Sequence, residues 1–141
     1  MKSIHVLLVE DNEGDILLTR EALEEGKLVN QISIARDGKE AIDFLEKKAP
    51  FQATMLPDLI LLDVNLPKKN GHEVLHFIKT AEAYKHIPVI MLTTSSSFKD
   101  INSSYLNHAN CYITKPVEVE EFFRVVVQLE NFWFNIVKLP S

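Results

Sequence analysis

Short runs of branched apolar residues recur along the chain at Ile4 to Val9, Gln31 to Ala35, Leu59 to Leu62, Val89 to Leu92 and Cys111 to Thr114. Runs that stay apolar at successive positions, instead of alternating with polar ones, mark strands covered on both faces. Five parallel strands are predicted. Between them the spacing turns helical: Ile16, Leu17, Thr19, Arg20 and Leu23 in the first stretch, then Ala41, Ile42 and Leu45 behind Asp37, then Val74, Leu75 and Ile78 behind Gly71. A fourth, weaker helix is expected over Lys99 to Asn107. A fifth starts near Val117, where Glu118, Glu120 and Glu121 suit the positive end of a helix dipole, and continues past Phe134. Parallel strands need crossovers and helices are the usual crossover, so the alternation predicts a doubly wound α/β domain with five helices. The connection from Lys47 to Pro57 is longer than the rest and holds Pro50 and Pro57.

At 141 residues with 46% hydrophobic content, the chain fits one domain over 1–141 with an ample core. The 15 basic and 20 acidic residues leave a formal charge of -5, with no local run of lysines and arginines, which argues against nucleic acid as a partner. No apolar stretch approaches the roughly 20 residues needed to span a bilayer, and the N-terminus runs straight into a strand, so a soluble, cytoplasmic protein without a membrane partner is expected. Cys111 is the sole cysteine and cannot form an internal disulfide. Its place in an apolar run predicts a buried thiol in a reducing compartment.

The polar residues that end these strands change the picture. Glu10 and Asp11 follow the first run, Asp63 ends the third, and Thr93 and Lys115 close the fourth and fifth. In a parallel sheet the carboxyl ends of strands meet at one edge, so these groups converge. Three carboxylates brought together repel by about 1 kcal/mol per pair at 4 Å in water, and by several times more when shielded, so a cation belongs between them. Oxygen-only ligands point to a hard ion, and Mg²⁺ fits better than zinc. Equally, Glu10-Asp11-Asn12 could do no more than cap the helix that begins near Glu13. Asp63 weighs against that simpler reading, because a charge closing Leu59-Ile60-Leu61-Leu62 must face solvent, a metal or a partner. A carboxylate held there can attack a phosphoryl group to give an acyl phosphate, with Thr93 donating a hydroxyl hydrogen bond and Lys115 a positive charge to the phosphoryl oxygens. Gly71 permits a close or left-handed backbone turn before the next helix. The isomer of the Lys115-Pro116 bond is left open by the sequence.

Val9-Glu10-Asp11-Asn12, Leu61-Leu62-Asp63-Val64-Asn65-Leu66-Pro67 with Gly71, Pro88-Val89-Ile90-Met91-Leu92-Thr93 and Tyr112-Ile113-Thr114-Lys115-Pro116 fall in the order and spacing of one family. Over residues 4 to about 130 the chain resembles the receiver domain of two-component response regulators. The resemblance implies a flavodoxin-like sheet of order 2-1-3-4-5. It implies that Asp63 takes a phosphoryl group from a histidine kinase, that Asp11 and Asp63 bind Mg²⁺ with the Asn65 backbone carbonyl, and that Glu10 helps through water. Thr93 and Lys115 would sense the phosphoryl oxygens, and Tyr112 would report the change by moving inward, although an aromatic beside a strand can also serve packing alone. Glu10 stands where many members have Asp, and Thr94 occupies a position that can influence access to Asp63.

After the fifth helix only Lys138-Leu139-Pro140-Ser141 remain, so a stand-alone receiver is expected, with output through an unknown downstream protein. On the last helix Phe122, Val125, Val126, Leu129, Trp133, Ile136 and Val137 share one face, while Phe123, Val127 and Phe134 lie beyond its edge. That excess predicts a homodimer through the helix and tail, about 118–141. The run Asp11-Asn12-Glu13-Gly14-Asp15, the long connection before Leu59 and the aromatic tail look like the small regulators paired with phytochrome-type histidine kinases, which implies a light-sensing kinase as donor. A flavodoxin would not place Glu10-Asp11 where a bare phosphate binds. An aspartate-nucleophile phosphatase generally needs an acid at the position of Asn65, so turnover on small substrates is not expected. His72 and His76 have i, i+4 spacing but read as a solvated face. A phosphorylation-independent dimeric adaptor is the remaining alternative.

Overall fold

The computed structural model describes residues 4–26, 29–93 and 111–127, apart from the Asn30 side chain. The predicted helix over Lys99 to Asn107, Thr94, Leu129, Trp133, Phe134 and the tail lie outside the described residues. Strands β1 (Ile4–Val9), β2 (Val29–Ala35), β3 (Leu59–Asp63), β4 (Val89–Thr93) and β5 (Cys111–Thr114) alternate with helices α1 (Glu13–Gly26), α2 (Gly38–Leu45) and α3 (Gly71–Thr80). A further helix, α4, covers residues 119–127. The strands form one parallel sheet in the order β2-β1-β3-β4-β5, as the resemblance implied.

Side chains alternate across this sheet and divide the core in two. On one face Val6, Leu8, Leu59, Leu61, Ile90, Leu92 and Ile113 pack against Ile16 and Leu23 of α1 and Phe122, Val125 and Val126 of α4. On the other face Leu7, Val9, Ile60, Leu62, Val89 and Met91 meet Ala41, Phe44 and Leu45 of α2 and Val74, Leu75 and Ile78 of α3. The continuous burial of β1, β3 and β4 explains why their sequences lack a polar alternation. Each fully buried Leu, Ile or Val contributes about 1.5–3 kcal/mol, so the central strands hold the sheet rigid up to the edge where the polar residues stand.

Three boundaries differ from expectation. Strand β2 starts at Val29, two residues early, because Ile4 pairs with Val29 before a register irregularity between Ile4 and His5. Strands β3 and β4 include Asp63 and Thr93, whose backbones still sit in the ladder while their side chains turn to chemistry. Cys111 is half-buried instead of enclosed, and burial raises its thiol pKa. His72 is likewise half-buried, with Nε2 shielded from water, while His76 is exposed.

Candidate active site

Each strand end delivers one part of the site. Glu10 follows β1, and its N–H donates to Ala35 O at 2.9 Å, so the ladder carries it into the sheet edge, where it is fully buried. Asn12 accepts from Asp15 N through Oδ1 at 2.9 Å and from Ile16 N through its carbonyl at 2.9 Å. Asn12 is therefore the residue that caps α1, which releases Glu10 and Asp11 for another role.

Asp63 is 2% exposed at the end of β3. The next residues turn sharply: Val64 N–H donates to Leu92 O at 2.9 Å, Asn65 N–H to Asp63 Oδ1 at 3.1 Å and Gly71 N–H to Val64 O at 3.0 Å. Gly71 serves close approach, not a left-handed turn, since a Cβ there would stand 2.3 Å from Asp63 O and 2.8 Å from Val64 Cα. The left-handed conformation falls to Lys68, at φ 65°, whose ammonium pairs with Asp37 at 3.4 Å. On β4, Thr93 is 3% exposed and pairs in register with Thr114. Lys115 N–H donates to Thr93 O at 2.7 Å, extending the β4/β5 ladder by one residue, and the Lys115-Pro116 bond is cis. Tyr112 pairs with Met91 and packs half-buried against the core on the α2/α3 face.

Side-chain oxygens of Glu10, Asp11 and Asp63 lie within 4.8 Å of one another. The Lys115 ammonium sits 2.8 Å from Glu10 Oε1, 3.1 Å from Asp15 Oδ2 and 3.3 Å from Asp63 Oδ2. The structure thus gathers Glu10, Asp11, Asp63 and Lys115, with Thr93 at the end of β4 and the Asn65 backbone on the turn after β3. Burial, reinforced by the neighbouring Asp63 carboxyl and opposed by Lys115, raises the Glu10 pKa to about 7. For Lys115 burial pulls downward, but its bonds to Glu10 and Asp15 and the charge of Asp63 outweigh it, and the net shift is upward. The lysine stays charged, yet one ammonium cannot balance this many acids. The donor set is all oxygen, partly exposed at Asp11 and too crowded with negative charge to be at rest without further positive charge. It fits a hard divalent cation.

Asp15 was not foreseen as a partner of Lys115. Its only sequence signal is position in the first turn of α1, where acids are favoured by the dipole in any case.

A family model for the response regulator receiver domain matches residues 6–127. The chain is 43% identical over 136 residues to response regulator Rcp1 of Synechocystis sp., covering 96% of this chain and 92% of the relative. It is 40% identical to the probable methanogenesis regulatory protein FilR2 of Methanothrix harundinacea, covering 96% and 87%. The crystal structure of the phosphorylated cyanobacterial phytochrome response regulator RcpA superposes with a TM-score of 0.78 at 44% identity, covering 94% of each chain. The Mn²⁺-bound structure of Rcp1 gives a TM-score of 0.75 at 42% identity, covering 92% and 94%.

Proposed function

Because the chain belongs to the response regulator receiver family, we propose that it accepts a phosphoryl group from a histidine kinase on Asp63 and signals through protein contacts. The observation that carries this reading is a 2% exposed aspartate at the sheet edge, with two more carboxylates beside it and a lysine ammonium 3.3 Å from its Oδ2. A carboxylate oxygen of Asp63 attacks the phosphorus of a phosphoimidazole. The O–P bond forms as the N–P bond breaks, and the electron pair leaves with the imidazole nitrogen, which takes up a proton. Lys115 offers its charge to the phosphoryl oxygens, and the Thr93 hydroxyl donates a hydrogen bond to one of them. Tyr112 follows by moving inward. The chain catalyses only its own phosphorylation and dephosphorylation.

Glu10, Asp11, Asp63 and the Asn65 backbone carbonyl would hold Mg²⁺, which when bound neutralises the acids and the oxygens of the incoming group. That Rcp1 has a Mn²⁺-bound form supports a divalent cation as a ligand of this chain. The names of Rcp1 and RcpA support a phytochrome-type kinase as donor. Phe123, 45% exposed on α4, supports a homodimer through this helix; Val127 and Phe134, the latter outside the described residues, are the further contacts the sequence suggests. A cytoplasmic location accords with a kinase donor.

Incubation with acetyl phosphate and Mg²⁺ tests the reading. The wild type is expected to take up label and Asp63→Asn to take up none. Label retained on Asp63→Asn would refute the assignment.

A further inference from the structure

The ammonium of Lys115 has three N–H donors, and three carboxylates stand around it: Glu10 at 2.8 Å, Asp15 at 3.1 Å and Asp63 at 3.3 Å. Two of its N–H groups are bonded to Glu10 and Asp15, while the Asp63 contact is an ion pair without a hydrogen bond, so turning the ammonium from Asp63 onto an arriving phosphoryl oxygen works against the two bonds that anchor it. Glu10 is fully buried, and losing the ammonium would leave its charge out of water and unpaired. Asp15 differs. Its side chain is 34% exposed, so water can replace the ammonium, and it stands in the first turn of α1, where the helix dipole continues to favour its charge. Because Lys115 comes from the β5 end and Asp15 from α1, the contact joins segments 100 positions apart in sequence.

We propose that Asp15 is a positioning residue: it holds Lys115 in the resting state and is the partner released when Asp63 carries a phosphoryl group. The first turn of α1 therefore sets how readily the site is loaded. Asp15 acts through the lysine, which it holds by a hydrogen bond at 3.1 Å. The proposal rests on the reading of Asp63 as phosphoacceptor and assigns a regulating residue to that site.

Beryllofluoride with Mg²⁺, a non-covalent phosphoryl mimic, tests the proposal as an equilibrium on the full chain, read by titration calorimetry. Asp15→Asn is expected to tighten binding by roughly 2-fold to 5-fold, the scale of one partly screened ion pair. Asp15→Glu, which keeps the charge, is expected to bind as the wild type does. In a Lys115→Gln background the tightening should vanish, because the effect runs through the ammonium. Equal tightening in both backgrounds would mean simple removal of a negative charge and overturn the positioning role, as would unchanged or weaker binding by Asp15→Asn. Wild-type protein whose binding is absent, or survives Asp63→Asn, would instead overturn the reading of Asp63 and this role with it.

Discussion

Glu10 closes an apolar strand with no exposed surface, and its carboxyl is raised from 4.5 to about 7 by burial and by Asp63 beside it. With the folded value above the unfolded one, the folded chain binds more protons between these limits. Without a divalent cation, this group makes stability fall as pH rises from about 4.5 to about 7 and level above that. A cation in the site offsets the loss. The gap between unfolding midpoints in Mg²⁺ and in EDTA should widen across the window, while groups elsewhere cancel from the difference; a gap independent of pH would contradict this account. Gly71 carries a second prediction at this scale. A Cβ 2.3 Å from Asp63 O forces the backbone apart, so Gly71→Ala should destabilise by about 1–3 kcal/mol in urea unfolding and slow labelling of Asp63. Glu10, Asp11, Asp63, Thr93 and Lys115 were legible from sequence because each interrupts or ends an apolar run, and charge in such a place needs a reason. Asp15 was not, since a first-turn acid is already accounted for by the helix dipole. The part Gly71 plays also escaped, because close approach and left-handed turning leave the same glycine in the sequence.

Helices α2 and α3 start on loops that reach the site, and their caps hold those loops in place. Asp37 Oδ1 accepts from Glu40 N at 2.7 Å, and Asn70 accepts from Glu73 N while the Glu73 carboxylate accepts from Asn70 N. The Asn70 cap lies next to Gly71, which packs on the carbonyl of Asp63. Asn70→Ala is expected to cost about 0.5–2 kcal/mol in urea unfolding, with labelling confined to Asp63 as before; no loss of stability would contradict the role of the cap. At the other end of α3, Lys79 Nζ donates to Ile87 O at 2.7 Å and Lys85 O at 3.3 Å, and burial lowers its pKa to about 8. Strands were readable because β1, β3 and β4 are buried on both sides, which leaves an unbroken apolar run. The start of β2 was less so, since Val29 joins the ladder through an irregularity that only pairing with Ile4 reveals.

At the scale of the molecule, the described residues form a sheet with α1 and α4 on one face and α2 and α3 on the other. Among the described residues, no helix is long and apolar enough to cross a membrane. Helix α4 buries Phe122, Val125 and Val126 inward and leaves Phe123 outward, a division visible in the helical spacing alone. If that outer side joins two copies, Phe123→Ala should weaken self-association in sedimentation equilibrium and leave labelling intact; unchanged sedimentation would remove the dimer from the account. The strand order could not be taken from periodicity, because the same five strands and crossovers could be wound in several orders. It came from the resemblance to the receiver family that the motifs carry, and the sheet has that order. On the proposed reading, the edge where the strands end makes one carboxylate, that of Asp63, the acceptor. The most direct measurement is to load the full chain with acetyl phosphate and Mg²⁺, reduce the acyl phosphate with borohydride and map the reduced residue by peptide mass spectrometry. Reduction at position 63 alone is the predicted result; reduction at Asp11, Glu10 or any other position, or none after loading, would contradict it.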